Sequence, residues 1–134
     1  MSELALVLID SSAWIEAIRA RGAPACVAQV EQLLTDRRAA TCEIVVTEVL
    51  QGATSPVELA VLGEQLQGLV PLPMDGAGEV AGRLAWTLRR RGVTVHTTDL
   101  LIAATAHLNG AALLHHDRHL AEAADALGLQ AIEP

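Results

Sequence analysis

Two apolar runs that stop short of an acid constrain this chain most. Leu6-Val7-Leu8-Ile9 leads into Asp10, and Ala111-Ala112-Leu113-Leu114 leads through His115 and His116 to Asp117. A short continuous apolar run followed by a helix-like segment reads as a strand buried on both faces, as in a parallel sheet. Ligands of such sheets bind at the carboxyl ends of the strands. The two aspartates, more than a hundred residues apart in sequence, are therefore candidates for one site.

The rest of the chain keeps the same alternation. Leu4 to Ile9 predicts the first strand, and Ser11 or Ser12 can cap a helix to about Arg21, ended by Gly22. Pro24 opens a helix to about Arg37, Ala39 to Cys42 forms a short strand, and a helix carrying Glu48 closes at Gly52. Ser55-Pro56 caps and starts the next helix, with Leu59, Leu62, Leu66 and Leu69 as its apolar stripe. Leu69 to Leu72 predicts a third strand, ended by Pro73. Asp75 to Arg91 predicts a longer helix with acids early, arginines late and Gly92 beyond its end. Val93 to Thr98 reads as a loop, Asp99 to Asn109 as an apolar helix and Ala111 to Leu114 as a strand. Arg118 to Leu127 is a helix and Leu129 to Ile132 a last short strand. Strand and helix in alternation predict a mostly parallel sheet with helices on both faces, and residues 1–134 read as a single domain.

Composition narrows the chemistry. Half of the residues are apolar, with Phe and Tyr absent, so the core is aliphatic. Trp14 and Trp86, read as core or interface residues, cannot make a multi-ring base-stacking platform. The net charge of -7 argues against broad coating of nucleic acid, although acidic metal ligands contribute to such a charge. All nine basic residues are arginine. Without lysine, P-loop NTPases and Schiff-base enzymes are excluded, and no glycine-rich phosphate loop follows the first strand. Cys26 and Cys42 have no metal-motif spacing and read as buried thiols. Neither a signal peptide nor an apolar run of membrane-spanning length is evident, so a cytoplasmic protein without membrane association is expected.

Asp10, Glu48, Asp99 and Asp117 are the acids to explain. Asp10, Asp99 and Asp117 each stand where a helix start favours an acceptor or a negative charge, and Thr98 could cap in place of Asp99. Glu48 lies among Val45, Val46, Val49 and Leu50, so its carboxylate must face water or a cleft. Together, all four can face one edge of the sheet. Hard oxygen ligands gathered there suit Mg2+ or Mn2+.

Four segments carry a specific resemblance. Leu8-Ile9-Asp10-Ser11-Ser12-Ala13-Trp14-Ile15-Glu16 resembles the opening strand and first acid of PIN-domain proteins, in particular the VapC toxins of type II toxin–antitoxin pairs. Thr47-Glu48-Val49-Leu50-Gln51-Gly52 is similar to their Glu-Leu-x-x-Gly segment. Asp99-Leu100-Leu101-Ile102-Ala103-Ala104-Thr105-Ala106 resembles their Asp-led Ile-Ala-Ala helix. Leu113-Leu114-His115-His116-Asp117-Arg118-His119-Leu120 resembles the closing strand and final acid. The resemblance implies a three-layer α/β/α sandwich and a Mg2+- or Mn2+-dependent endoribonuclease of cellular RNA, tRNA or rRNA. It also implies 5′-phosphate and 3′-hydroxyl products, a VapB-like antitoxin partner and a homodimer. Asp10, Asp99 and Asp117 would bind metal, with Glu48 completing the pocket.

The last motif departs from the common pattern of Thr, second acid and Phe, which here are His115, His119 and Leu120. One ion held at rest, with a second arriving with substrate, is an arrangement this leaves open. So is a PIN-like binding module with weakened turnover. Ser11, Ser12 and Arg118 are candidate substrate contacts, each with a plainer reading as a cap or an ion pair. His115, His116 and His119 read as a partly exposed loop cluster rather than a zinc site. Arg89-Arg90-Arg91 suits the negative end of its helix and is the plainer counterpart of a phosphate contact. With so few cations, selection of a structured RNA by shape or by an exposed loop is expected.

Overall fold

The computed structural model describes residues 5–18 and 22–132. Five parallel strands form one sheet in the order β3-β2-β1-β4-β5. They are β1 (Val7–Ile9), β2 (Ala39–Thr41), β3 (Val70–Pro71), β4 (Ala112–Leu114) and β5 (Ala131–Ile132). Helices flank the sheet: α1 (Ser11–Ile18), α2 (Pro24–Thr35), α3 (Glu43–Gln51), α4 (Pro56–Gln67), α5 (Ala77–Arg90), α6 (Thr97–Leu108) and α7 (Arg118–Leu127). The expected α/β class with a parallel sheet is the observed one.

Burial explains why the central strands read so clearly. Val7, Leu8, Ile9, Leu113 and Leu114 are wholly buried, which requires cover on both faces of β1 and β4. Register pairs Val7 with Ala112, Leu8 with Leu113 and Ile9 with Leu114, so the two strands end level. The edge strands are two residues long and partly exposed, and Pro71, which donates no ladder bond, sits on one of them. Strand order reverses between β1 and β4: the chain builds outward through β2 and β3, then returns to add β4 and β5. That reversal opens a crevice at the carboxyl edge, between the ends of β1 and β4.

Several boundaries differ from the sequence reading. The expected end of the first helix at Arg21 and the expected strand start at Leu4 lie outside the described residues. α2 stops at Thr35 rather than Arg37, because Arg37 adopts a left-handed φ of 56° that no helix accommodates. Gly76, at φ 81°, delays α5 from Asp75 to Ala77. α6 starts at Thr97 with His96 as its N-cap, so Thr98 lies inside the helix and caps nothing. Neither serine caps α1; the Asp10 carbonyl receives the amides of Ala13 and Trp14, and its carboxylate receives that of Ser12. Ser55 does cap α4, its hydroxyl accepting the Glu58 amide at 3.1 Å. Of the expected α4 stripe, Leu62, Leu66 and Leu69 are buried but Leu59, in the first turn, is exposed. Trp14 belongs to the core, whereas Trp86 stands on the surface.

Candidate active site

Asp10 follows β1 directly, and its amide donates to the Leu114 carbonyl at 2.9 Å, so the β1–β4 ladder runs to the acid itself. Its side chain is 2% exposed. Oδ2 accepts the Ser12 amide at 3.0 Å and the Ser12 hydroxyl in a short contact. Oδ1 is buried with no hydrogen-bond partner. A buried carboxylate oxygen left unpaired costs on the order of 1–3 kcal/mol, more if the group is charged, so this atom marks a place where a donor or cation belongs. Burial pushes the Asp10 carboxyl above its ordinary pKa, and Asp117 adds to the rise, while the Ser12 and Ser11 hydrogen bonds oppose it.

The Ser12 hydroxyl has a second partner: it accepts the His116 amide at 2.9 Å. One side chain thus ties the end of β1 to the turn after β4, on which Asp117 rides. Ser11 does the same toward α3, donating from Oγ to Glu48 Oε1 at 3.0 Å. Glu48 is half-buried and also pushed above the ordinary carboxylate range, by desolvation first and then by the charge of Asp10, with Ser11 opposing. Cys42, the N-cap of α3, is buried, and its thiol is raised by desolvation and by the charges of Asp10 and Glu48.

Asp99 lies in the first turn of α6. Half-burial and the charges of Asp10, Asp117 and Glu48 push its carboxyl to about 6, with His96 pulling the other way. His96, the residue before the helix, was not singled out by sequence; the one signal was its place ahead of Thr97-Thr98-Asp99. Asp117 plays the capping part expected of it: Oδ1 accepts the His119 amide at 2.7 Å and starts α7. His115 departs from expectation. It is 1% exposed, its amide continues the ladder to Ile132, and its Nδ1 accepts the Asp117 amide at 3.3 Å. His116 and His119 are exposed, as is His107.

The charges of Asp10, Glu48 and Asp117 all reach Asp99, that of Asp117 reaches Asp10 and that of Asp10 reaches Glu48, and among the described residues none of the four acids lies within ion-pair distance of an arginine. Arg118 is exposed and makes no ion pair with its neighbour Asp117. The donor chemistry fits a hard divalent cation: carboxylate oxygens, one of them buried and unsatisfied, in a field that already disfavours further negative charge. The spacing is open, and among the described residues no three Asp, Glu, His or Cys side chains converge tightly enough to close on an ion.

A family model described as PIN domain matches residues 7–126. The chain is 37% identical over 131 residues to Ribonuclease VapC11 of Mycobacterium tuberculosis (strain ATCC 25618 / H37Rv), spanning 94% of this chain and 97% of that protein. It is 30% identical over 116 residues to Ribonuclease VapC18 of the same strain, spanning 83% and 82%. Its backbone is similar to that in the crystal structure of DNA-bound VapBC from Salmonella typhimurium, with a TM-score of 0.78 over 97% of this chain and 98% of that one, at 20% identity.

Proposed function

The chain belongs to the PIN-domain family, alongside the VapC ribonucleases, and from that premise we propose that it is a metal-dependent endoribonuclease toxin. The observation that carries the reading is Asp10 Oδ1, buried and unpartnered at the switch point of a parallel sheet, with the negative charge of Asp117 close enough to push the Asp10 carboxyl up. Asp10, Asp99 and Asp117 would hold Mg2+ or Mn2+, and Glu48 would complete the pocket. Such an ion supplies a more acidic water and neutralises charge developing on the scissile phosphate.

The residues of the chain do the rest. Ser12 fixes Oδ2 of Asp10, which leaves Oδ1 as the oxygen presented to the cation. Ser11 holds Glu48 in the same pocket. Both hydroxyls are engaged with acids, so we assign the two serines to positioning, and the phosphate contact to Arg118.

On this reading residues 1–134 form a single PIN domain acting in the cytoplasm on a structured RNA, tRNA or rRNA, and neutralised by a VapB-like antitoxin. Among the described residues no helix is long and apolar enough to cross a membrane. Several solved neighbours are VapBC complexes, which supports the partner. Ile15 and Ile18 of α1 are exposed, and with Val49, Gly52, Thr54 and Glu58 they line a groove of about 390 Å³. Exposed apolar side chains at a groove suit a protein partner, and we place the antitoxin there. A homodimer belongs to the same reading.

Incubation of total RNA with the purified chain tests the function. Cleavage with Mn2+, none with EDTA and none by a folded Asp10→Asn variant is the expected pattern; equal cleavage by the variant overturns it. The second reading, a binding module with weakened turnover, rests on His119 and the open spacing of the acids. It predicts RNA binding without metal-dependent cleavage.

A further inference from the structure

α5 concentrates positive charge in an otherwise acidic chain. Arg83, Arg89 and Arg90 lie on it and Arg91 caps it, four of the nine arginines. Trp86 stands among them, 61% exposed. The Arg90 guanidinium carbon lies 4.4 Å from the centre of its ring, which holds the indole in place by a cation–π contact. One turn earlier the helix is bare: a Cβ built on Gly82 meets nothing within 4 Å. Gly82, Arg83, Trp86 and Thr87 line an open groove of about 570 Å³. Arg83 is paired with Glu79 at 3.1 Å and Arg90 covers one face of Trp86, so the other face of the ring is left for a ligand, and Arg89 and Arg91 supply the uncommitted charge among the described residues of this helix.

The last turn of α5 is joined to the start of α6, which carries Asp99, by residues 91–96. The Asn109 side chain, just past α6, donates to the Pro73 carbonyl ahead of α5 at 3.0 Å, and Leu108 lies 3.7 Å from a Cβ built on Gly76. The start of α5 thus meets the end of α6, and the two helices run antiparallel. The arginine end of α5 accordingly meets the start of α6, where Asp99 sits.

We propose that the C-terminal half of α5 is an RNA-strand contact, with the open face of Trp86 stacking one base of a single-stranded segment and Arg89, Arg90 and Arg91 holding its phosphates. The inference rests on the ribonuclease reading and adds to it how a polyanion approaches a chain of net charge -7. Charge complementarity selects this occupant over a second copy, because a two-fold contact through the same face would set arginine against arginine. One exposed ring is enough for one base, and stacking tolerates any base.

Binding is measured in EDTA, so that nothing is cut, with a fluorescein-labelled single-stranded oligoribonucleotide of mixed sequence. In a Trp14→Phe background Trp86 is the sole indole, and the oligoribonucleotide is expected to quench its emission. Trp86→Ala is expected to weaken binding about tenfold and Trp86→Phe to keep most of it. Replacing Arg89, Arg90 and Arg91 by Ala is expected to flatten the dependence of log K on log salt by about 2. Unchanged affinity in Trp86→Ala overturns the proposal. So does a dimer that this variant splits while its RNA affinity stays the same, since the face then joins two copies. Mn2+-dependent cleavage with unchanged Trp86→Ala binding removes this surface and spares the ribonuclease reading. Weakened Trp86→Ala binding without any cleavage by the unaltered chain does the reverse.

Discussion

Replacing Asp99 by Asn tests the electrostatics of the acid cluster on the metal-free protein. The folded state holds the Asp99 proton more tightly than an ordinary carboxylate does, at about 6 against 3.8. The sign follows directly. Its contribution to stability is fully present below pH about 3.8 and is lost as pH rises through about 6. At 1.36 kcal/mol per pH unit the gap corresponds to about 3 kcal/mol. The group is half-buried, so solvent screening reduces the cost of its charge at neutral pH to about 1–2 kcal/mol. Asn keeps the shape and removes the charge. In EDTA near pH 7.5 the variant should therefore melt higher by about 3–8 °C, and near pH 4 the two proteins should melt within about 1 °C of each other. Thermal unfolding followed by circular dichroism across that range measures both limits. With Mn2+ the order should invert, because only the unaltered chain keeps the full carboxylate set. A variant that is less stable than the parent at neutral pH in EDTA, or equally shifted at both pH values, refutes the reasoning.

Other substitutions probe what holds the site. Ser12→Ala removes the hydroxyl that joins Asp10 to the His116 amide, and urea unfolding should show a loss of about 1–3 kcal/mol. Ser11→Ala deprives Glu48 of the hydrogen bond that opposes its rise, so NMR titration of Glu48 should find its pKa higher still. Leu113→Ala opens a cavity in a wholly buried strand shared by both faces and should cost about 2–5 kcal/mol in the same unfolding assay. Gly128 ends α7 at φ 65°, so Gly128→Ala should lower stability by about 1 kcal/mol through backbone strain alone.

The parts of the fold legible in the sequence were those fixed by local chemistry. α7 runs from Arg118 to Leu127 as expected, because Asp117 caps its start and Gly128 supplies a left-handed end. Ser55-Pro56 was equally plain. Elements set by longer-range packing were less so. Thr97 and Thr98 look like loop residues, yet they form the exposed first turn of α6, and nothing local distinguishes that from a loop. Leu59 has the right helical spacing, which cannot tell the rim of a helix from its core. His115 reads as polar loop, but its amide pairs with Ile132 and carries it inside with β4.

The site divides the same way. Each acid was visible as an acid near a strand end or helix start. That they act on one another depends on strand order, which places β1 beside β4 and brings α3 and α6 to the same edge. The bland readings of Asp10 and Asp117 also hold, since each caps a helix with one carboxylate oxygen. Capping and ligation are compatible because a carboxylate has two oxygens, and in Asp10 the second is the one left without a partner. The hydroxyl bridges from Ser11 and Ser12 had no signature beyond adjacency.

Mn2+ binding, followed by the paramagnetic resonance of the free ion, measures the cation site without reference to RNA. The unaltered chain should take up Mn2+ saturably, and Asp10→Asn and Asp99→Asn should each lose that uptake while remaining folded. Saturable binding that survives both substitutions would contradict the assignment of the acid cluster as the metal centre.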